Sequence, residues 1–300
     1  MAEVQLRPGL VQIAHPPIRP NYIREAISSA VTSIVDKPLT FWQKLLNRSW
    51  LRKLLMLAAI AVAWELYARK LDNPLLVPTF TATFEAFWSG IASGDIPHRV
   101  WNSVQLLLRG YAIGIALAML LTALAMMSRL ANELLETLTS AFNPLPAIAL
   151  LPLSLIWFGL GDLSIIFVLV HSVLWAVALN THSGFRSVSD TLRMVGRNYG
   201  LRGIRLVAKI LIPAAFPSIL TGLKIGWAFA WRTLIAAELV FGVSSGKGGL
   251  GWYIYENKNI LDIPAVFAGL FTVILIGLVV ENLIFRNIEA ATIRKWGMQT

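Results

Sequence analysis

An all-α, polytopic membrane protein is the fold class this sequence predicts, on three observations. Of its 300 residues, 56% are hydrophobic and only 14% charged, against about 25% charged in an ordinary soluble domain. The mean hydropathy is +0.66, and eleven Trp and fourteen Phe add more apolar surface than a water-facing fold of this size can cover. Six apolar segments are each long enough to cross about 30 Å of hydrocarbon at about 1.5 Å per residue. The lack of cysteine excludes a disulfide framework, a thiolate metal site and a cysteine nucleophile. The net charge of +10 is the Lys and Arg excess that cytoplasmic loops collect, so no nucleic-acid partner is expected.

Residues 1–50 are polar, with Pro16, Pro17 and Pro20 close together, and carry no signal-peptide pattern. They read as a cytoplasmic amino-terminal tail. Phe41, Trp42, Leu45, Leu46 and Trp50 form an apolar stripe, with Lys44 and Arg48 on another face; this is either a helix lying on the inner membrane surface or a lead-in to the first span. A transmembrane unit over 51–290 follows, with spans expected near 51–68, 102–127, 133–158, 163–182, 214–243 and 264–285. The stretch FTATFEAFWS in the loop after the first span suits a helix at the outer interface. Gly110/Gly114 and Gly222/Gly226 have the spacing that lets helices approach closely. Residues 291–300 read as a cytoplasmic carboxy-terminal tail.

Lys and Arg set the orientation. With the amino terminus inside, inner segments hold eighteen of them and outer segments five, which puts both termini in the cytoplasm. The third span contains Pro144, Pro146 and Pro152, and interior proline removes a backbone donor and clashes with the preceding turn. A kinked or broken span is expected there, either as a wall of a translocation pathway or as a structural kink. Ionisable residues within spans are costly and therefore functional candidates: Arg109, His171, Arg232 and Glu238 join Pro146 and Pro152 as the expected pathway set. Arg232 and Glu238 are six residues apart, about 240° around a helix, and cannot pair with each other. Arg109 and Glu238 either pair across two helices or meet a substrate.

The longest inner loop, 184–212, reads GFRSVSDTLRMVGRNYGLRGIRLVAKILI. Leu192, Val195 and Tyr199 lie on one side of an amphipathic helix, Gly200 breaks it, and a basic segment runs on to Pro213. This stretch has too few apolar positions to stand alone and needs a partner surface. Its spacing resembles the coupling loop of ABC importer permeases, in which an EAA element precedes a Gly by six residues, with an Ile ten and a Pro thirteen residues beyond. Gly200, Ile210 and Pro213 match, while Met194, Val195 and Gly196 stand in the triplet's place, followed by Arg197. PLPAIALLPLSLIWFGLGDLS (144–164), Asn180, Thr181, Gly184, Pro217, Thr221 to Lys224, Trp231, Ala236 to Glu238 and Gly249 to Gly251 resemble the nitrate, sulfonate, taurine and bicarbonate branch of that family over residues 51–290. Leu106 and Arg232 depart from the branch pattern.

The resemblance implies a type I importer permease with six helices. It implies a homodimer in a bacterial inner membrane, served by two ATPase subunits that bind the ATP and Mg, and by a periplasmic or lipid-anchored substrate-binding protein. Met194 to Leu201, with Ile210 and Pro213, would form the surface that couples to the ATPase. The substrate expected is a small anion, with Arg232 near the middle of the fifth span as its passing countercharge. No catalytic residue, cofactor or metal is expected in this chain. GVSSGKGG (242–249) fails as a phosphate loop, lacking one residue between its first glycines and having Gly248 in place of the Ser or Thr. His15, His98, His171 and His182 lack ligand spacing. The alternative, an ion-gradient-driven secondary transporter, calls for inverted repeats with matched broken helices, and only the third span is plainly broken.

Overall fold

The computed structural model describes residues 48–241 and 248–297. The stripe from Phe41 to Leu46, most of the amino-terminal tail and residues 242–247 lie outside them. The chain divides into Met1–Leu57 and Ala58–Thr300, and the described part of the first unit is the start of one helix. Among the described residues every regular element is helical. In order these are α1 (Ser49–Leu71), α2 (Phe80–Ala92), α3 (Asp95–Met127), α4 (Arg129–Phe142), α5 (Leu151–Phe158), α6 (Asp162–Ser187), α7 (Asp190–Asn198), α8 (Ile212–Phe241), α9 (Leu250–Asn259), α10 (Ile263–Val279) and the short α11 (Arg286–Glu289).

Among the described residues four helical rods are long and apolar enough to cross a bilayer: α3, α6, Val207–Val240 and Ile263–Arg294. The last two include π-helical turns at Val207–Leu211, Val280–Phe285 and Ala290–Arg294. The bent pair α4 and α5 makes a fifth. The expected first span differs: α1 has 23 residues, enough length, but Arg52 and Lys53 near its start and Glu65, Arg69 and Lys70 toward its end keep it from joining the other five on composition.

The expected third span is not one helix. α4 stops at Phe142, the axis turns by 90°, and a 3-10 turn at Ala147–Leu150 leads into α5. Pro144 and Pro146 occupy the bend, where continued helix would have needed their missing N–H groups. Pro152 breaks nothing: it lies in the first turn of α5, where proline is tolerated because that donor has no helical partner.

The small-residue pairs close the core. A Cβ on Gly110 or Gly114 of α3 would lie 2.6 or 2.7 Å from the Cβ of Leu169 or Val173 of α6, and the matched rise in numbers shows that α3 and α6 run parallel. Gly222 of α8 meets Asn180 of α6, and Gly226 meets Val177, so α8 runs the other way. Leu107, Leu169, Val173, Val177, Leu234 and Leu250 fill this seam and are fully buried. With no hydrophobic drive between helices in lipid, such close van der Waals contact is what holds them.

α2 is the helix expected from FTATFEAFWS. Thr79 caps it by accepting the Ala82 N–H at 3.2 Å, Phe87 meets Phe271 of α10 edge-on, and Trp64 of α1 donates its Nε1–H to the Pro78 carbonyl at 2.9 Å. α9 and the start of α10 lie at the end where α3 begins, through Ile96, Tyr253 and Ala265. α7 lies at the opposite end. The last residues differ from a tail: Ile293 is 3% exposed among Leu220, Val280 and Phe285, and Lys224 pairs with Glu289 at 2.7 Å.

Candidate translocation site and coupling surface

The loop between α6 and α8 folds as a helix, a cap and a return. Ser189 Oγ accepts the Leu192 N–H and starts α7, while Arg193 ties it to α6 by donating to the Phe185 carbonyl at 2.7 Å. α7 therefore begins four residues before Met194, and Gly200 and Leu201 belong to its cap. Gly200 has φ +75°; its N–H donates to the Arg197 carbonyl and that of Leu201 to Gly196, the paired bonds of a Schellman cap that favours glycine at this position. Gly196 is buried against the return segment, where an added Cβ would stand 2.5 Å from Leu206 Cδ1 and 3.1 Å from Ile210 Cγ1. Ile210, matched by spacing, and Gly196, standing in the place of the triplet's last residue, are neighbours in the structure. Leu192, Met194, Val195 and Tyr199 remain exposed, Tyr199 at 83%. Apolar side chains of this size bared on a nine-residue helix form a surface suited to another subunit.

A second concentration of candidates lies at the α4–α5 bend. A cavity of about 360 Å³ is lined there by Pro146 of the bend, His171, Ser172 and Trp175 of α6, and Arg232 and Thr233 of α8. Three predicted pathway residues, Pro146, His171 and Arg232, are thus brought together. Arg232 is exposed; its Nε donates to the Ala228 carbonyl at 3.0 Å, its guanidinium sits 5.4 Å from the Phe229 ring centroid, and it forms no ion pair among the described residues. A cation so placed costs about 2.5–3.5 kcal/mol at the centre of a membrane helix unless paired or hydrated. A further cavity of about 370 Å³ shares Asn143 and Pro144 with the first and extends to Glu136 and His182. At that end Arg186 pairs with Glu136, and the His182 ring lies 2.6 Å from Asn132 Oδ1.

The other candidates sit elsewhere. The alternative pairing of Arg109 with Glu238 is not what the structure contains: Arg109 faces Asp162 at 3.6 Å, both well exposed, and Glu238 is 4% exposed. The Glu238 carboxyl accepts the Ser103 hydroxyl and the Gly251 N–H, each at 2.8 Å, and Ser103 Oγ in turn accepts the Leu250 N–H at 2.8 Å. One buried carboxyl thereby joins α3, α8 and the start of α9. A Cβ on Gly249 would collide with Glu238 and Ser103, and one on Gly251 would lie 2.6 Å from Glu238 Cβ, which explains the paired glycines around Leu250. Sequence reasoning named Glu238 but missed Ser103; the signal available was a serine in a span facing an unpaired acid. It missed Trp175 and Thr233 as well, which carry no charge to mark them.

Residues 110–292 match the family described as binding-protein-dependent transport system inner membrane component. The chain is 32% identical over 243 residues to an ABC transporter permease protein of Methanocaldococcus jannaschii, covering 80% of this chain and 90% of that protein. It is 31% identical over 219 residues to the aliphatic sulfonates transport permease protein SsuC of Escherichia coli, covering 73% and 79%. It is 28% identical over 228 residues to the taurine transport system permease protein TauC of Escherichia coli, covering 74% and 81%. A helical bundle with a broken span and a capped inter-span helix is thus the membrane-spanning permease of an ABC importer. The chain belongs to the binding-protein-dependent transport system inner membrane component family, in its nitrate, sulfonate and taurine branch. It is a multi-pass subunit that is not itself an enzyme and works with an ATPase and a substrate-binding protein.

Proposed function

We propose that this permease imports a small anion, and that the cavity at the α4–α5 bend is part of its pathway. The single observation that carries this reading is Arg232: a cation within a span, facing a cavity, with no carboxylate partner among the described residues. The sulfonates and taurine in the names of its relatives point the same way. α1 serves as a sixth crossing with both termini in the cytoplasm, and two copies form a homodimer in the inner membrane. Two ATPase subunits, which bind the ATP and Mg, engage the exposed face of α7, where Met194, Val195 and Arg197 lie, with Leu201 of its cap beside them, while Gly196, Gly200, Ile210 and Pro213 hold that helix in place. Closure of the ATPases moves α7 as a rigid body and with it α6 and α8.

The test uses proteoliposomes holding the permease, its ATPase and its binding protein. Arg232→Gln is expected to lower anion uptake about tenfold, a loss of about 1.4 kcal/mol, while assembly and ATP hydrolysis persist. Arg232→Lys is expected to keep part of the uptake, since charge rather than fork geometry matters in a wide pathway. Normal uptake in Arg232→Gln, or transport of only neutral or cationic solutes, defeats the reading. Uptake driven by an ion gradient with no ATPase present defeats it too, in favour of a secondary transporter.

A further inference from the structure

The wall of the bend cavity contains more hydrogen-bond donors than the chain satisfies. Trp175 is 9% exposed, and its Nε1–H, which can only donate, has no acceptor among the described residues. Both ring nitrogens of His171, one turn earlier on the same face of α6, are likewise enclosed and unpartnered. Native proteins rarely leave such groups unpaired without a reason. Arg232 adds a cation, the Ser172 and Thr233 hydroxyls meet at 3.0 Å across the α6–α8 seam, and no Asp or Glu lines the cavity.

Phe142, the last residue of α4 before the bend, packs against both rings. Its ring stacks on Trp175 at 5.3 Å and 12°, and meets His171 edge-on at 6.2 Å and 82°. At about 360 Å³ the space admits a small anion with several waters, each of which occupies about 30 Å³ in the liquid.

We propose that this wall is an oxyanion subsite: Arg232 supplies the charge, and a shift of the bend lets the buried Trp175 and His171 nitrogens donate to the anion's oxygens. The inference rests on the anion reading above and adds its ligands. The ligand class is a small oxyanion, inorganic or bearing a short alkyl group, because the lining holds a cation and, among the described residues, no carboxylate, and the ring faces accept methylene groups. A site on a pathway must also release what it binds, and one in which only Arg232 is charged suits that need.

The experiment measures binding of radiolabelled methanesulfonate, with nitrate and bicarbonate as competitors, to the permease and ATPase complex in nanodiscs without binding protein. Trp175→Phe keeps the ring against Phe142 and removes only the N–H; it is expected to weaken binding about tenfold, as is His171→Phe, while Trp157→Phe on the exposed side of α5 leaves it unchanged. Binding in Trp175→Phe within about twofold of the unmodified complex overturns the subsite, as does an unmodified complex that binds none of the three anions at millimolar concentration. Uptake by proteoliposomes with the binding protein, measured alongside, separates the two readings. Anion uptake that survives Trp175→Phe undiminished removes the subsite and leaves the anion assignment standing. Uptake of only neutral or cationic solutes removes both.

Discussion

Glu238 shows how a single buried carboxyl can be structural in a protein whose intramembrane charges invite a transport role. Its oxygens accept from Ser103 and Gly251, and Ser103 accepts from Leu250 while donating to the carboxyl. Each group has a partner, so the chain needs no ligand there, in contrast to Arg232. Replacing Ser103 by Ala leaves the Leu250 N–H and one carboxyl contact unpaired, at about 1–3 kcal/mol for each buried group left unsatisfied. Ser103→Ala is therefore expected to lower the unfolding midpoint in detergent and to speed amide hydrogen exchange at Leu250 and Gly251. Unchanged exchange at those two amides would falsify the anchoring role. The base and the acid that the sequence offered as a pair, Arg109 and Glu238, have separate partners. Asp162 and Ser103 are 53 and 135 positions away from them, distances over which residue spacing holds no information.

α7 separates shape from surface. Gly196 and Gly200 set its shape, one by admitting Leu206 and Ile210 and the other by its left-handed backbone, whereas Met194 and Val195 are bare. Gly196→Val makes Leu206 and Ile210 repack, because an added Cβ would stand 2.5 Å from Leu206 Cδ1 and 3.1 Å from Ile210 Cγ1. That variant is expected to insert in the membrane yet lose most ATPase recovery in a pull-down. Met194→Ser is expected to reduce recovery while leaving permease stability within about 0.5 kcal/mol, as surface changes usually do. Equal effects of both substitutions on stability would argue that Met194 packs inside the subunit. The helix itself was legible as an amphipathic stretch ended by Gly200, although its start at Asp190 was not, since the cap Ser189 lies five residues ahead of Met194, outside the stretch compared with the family triplet. The bend after Phe142 was legible too, from Pro144 and Pro146; Pro152 misled because its place in a first turn depends on where α5 starts.

Across the bundle, α3 and α6 run parallel and α8 antiparallel, which puts α9 at one end and α7 at the other. The basic residues Arg186, Arg193, Arg197, Arg202, Arg205 and Lys209 gather at the α7 end, and the proposed orientation puts that end in the cytoplasm by the positive-inside bias. The chain's lack of cysteine permits a direct check. A cysteine at Ser93, between α2 and α3, is expected to react with an impermeant thiol reagent in intact cells, and one at Thr191 on α7 only after lysis. Reversed labelling would overturn the orientation and the coupling assignment together.

Composition and apolar run length were enough to establish a polytopic helical membrane protein, and the Lys and Arg positions its basic end, because the bilayer imposes those features on any chain that crosses it; the broken third span was legible from Pro144 and Pro146. The small-residue pairs forecast close packing for the same reason: a glycine every fourth residue has one obvious use in a span. What depended on folding was pairing at long range. That α1 is the most charged of the crossing candidates matters only once Glu65 is seen accepting from Thr81 and Arg69. That Glu238 is satisfied and Arg232 is not follows from which helices α8 touches on each face, and helix neighbours are chosen by side-chain fit over the entire seam, a quantity spread across α3, α6 and α8 rather than held in any one segment.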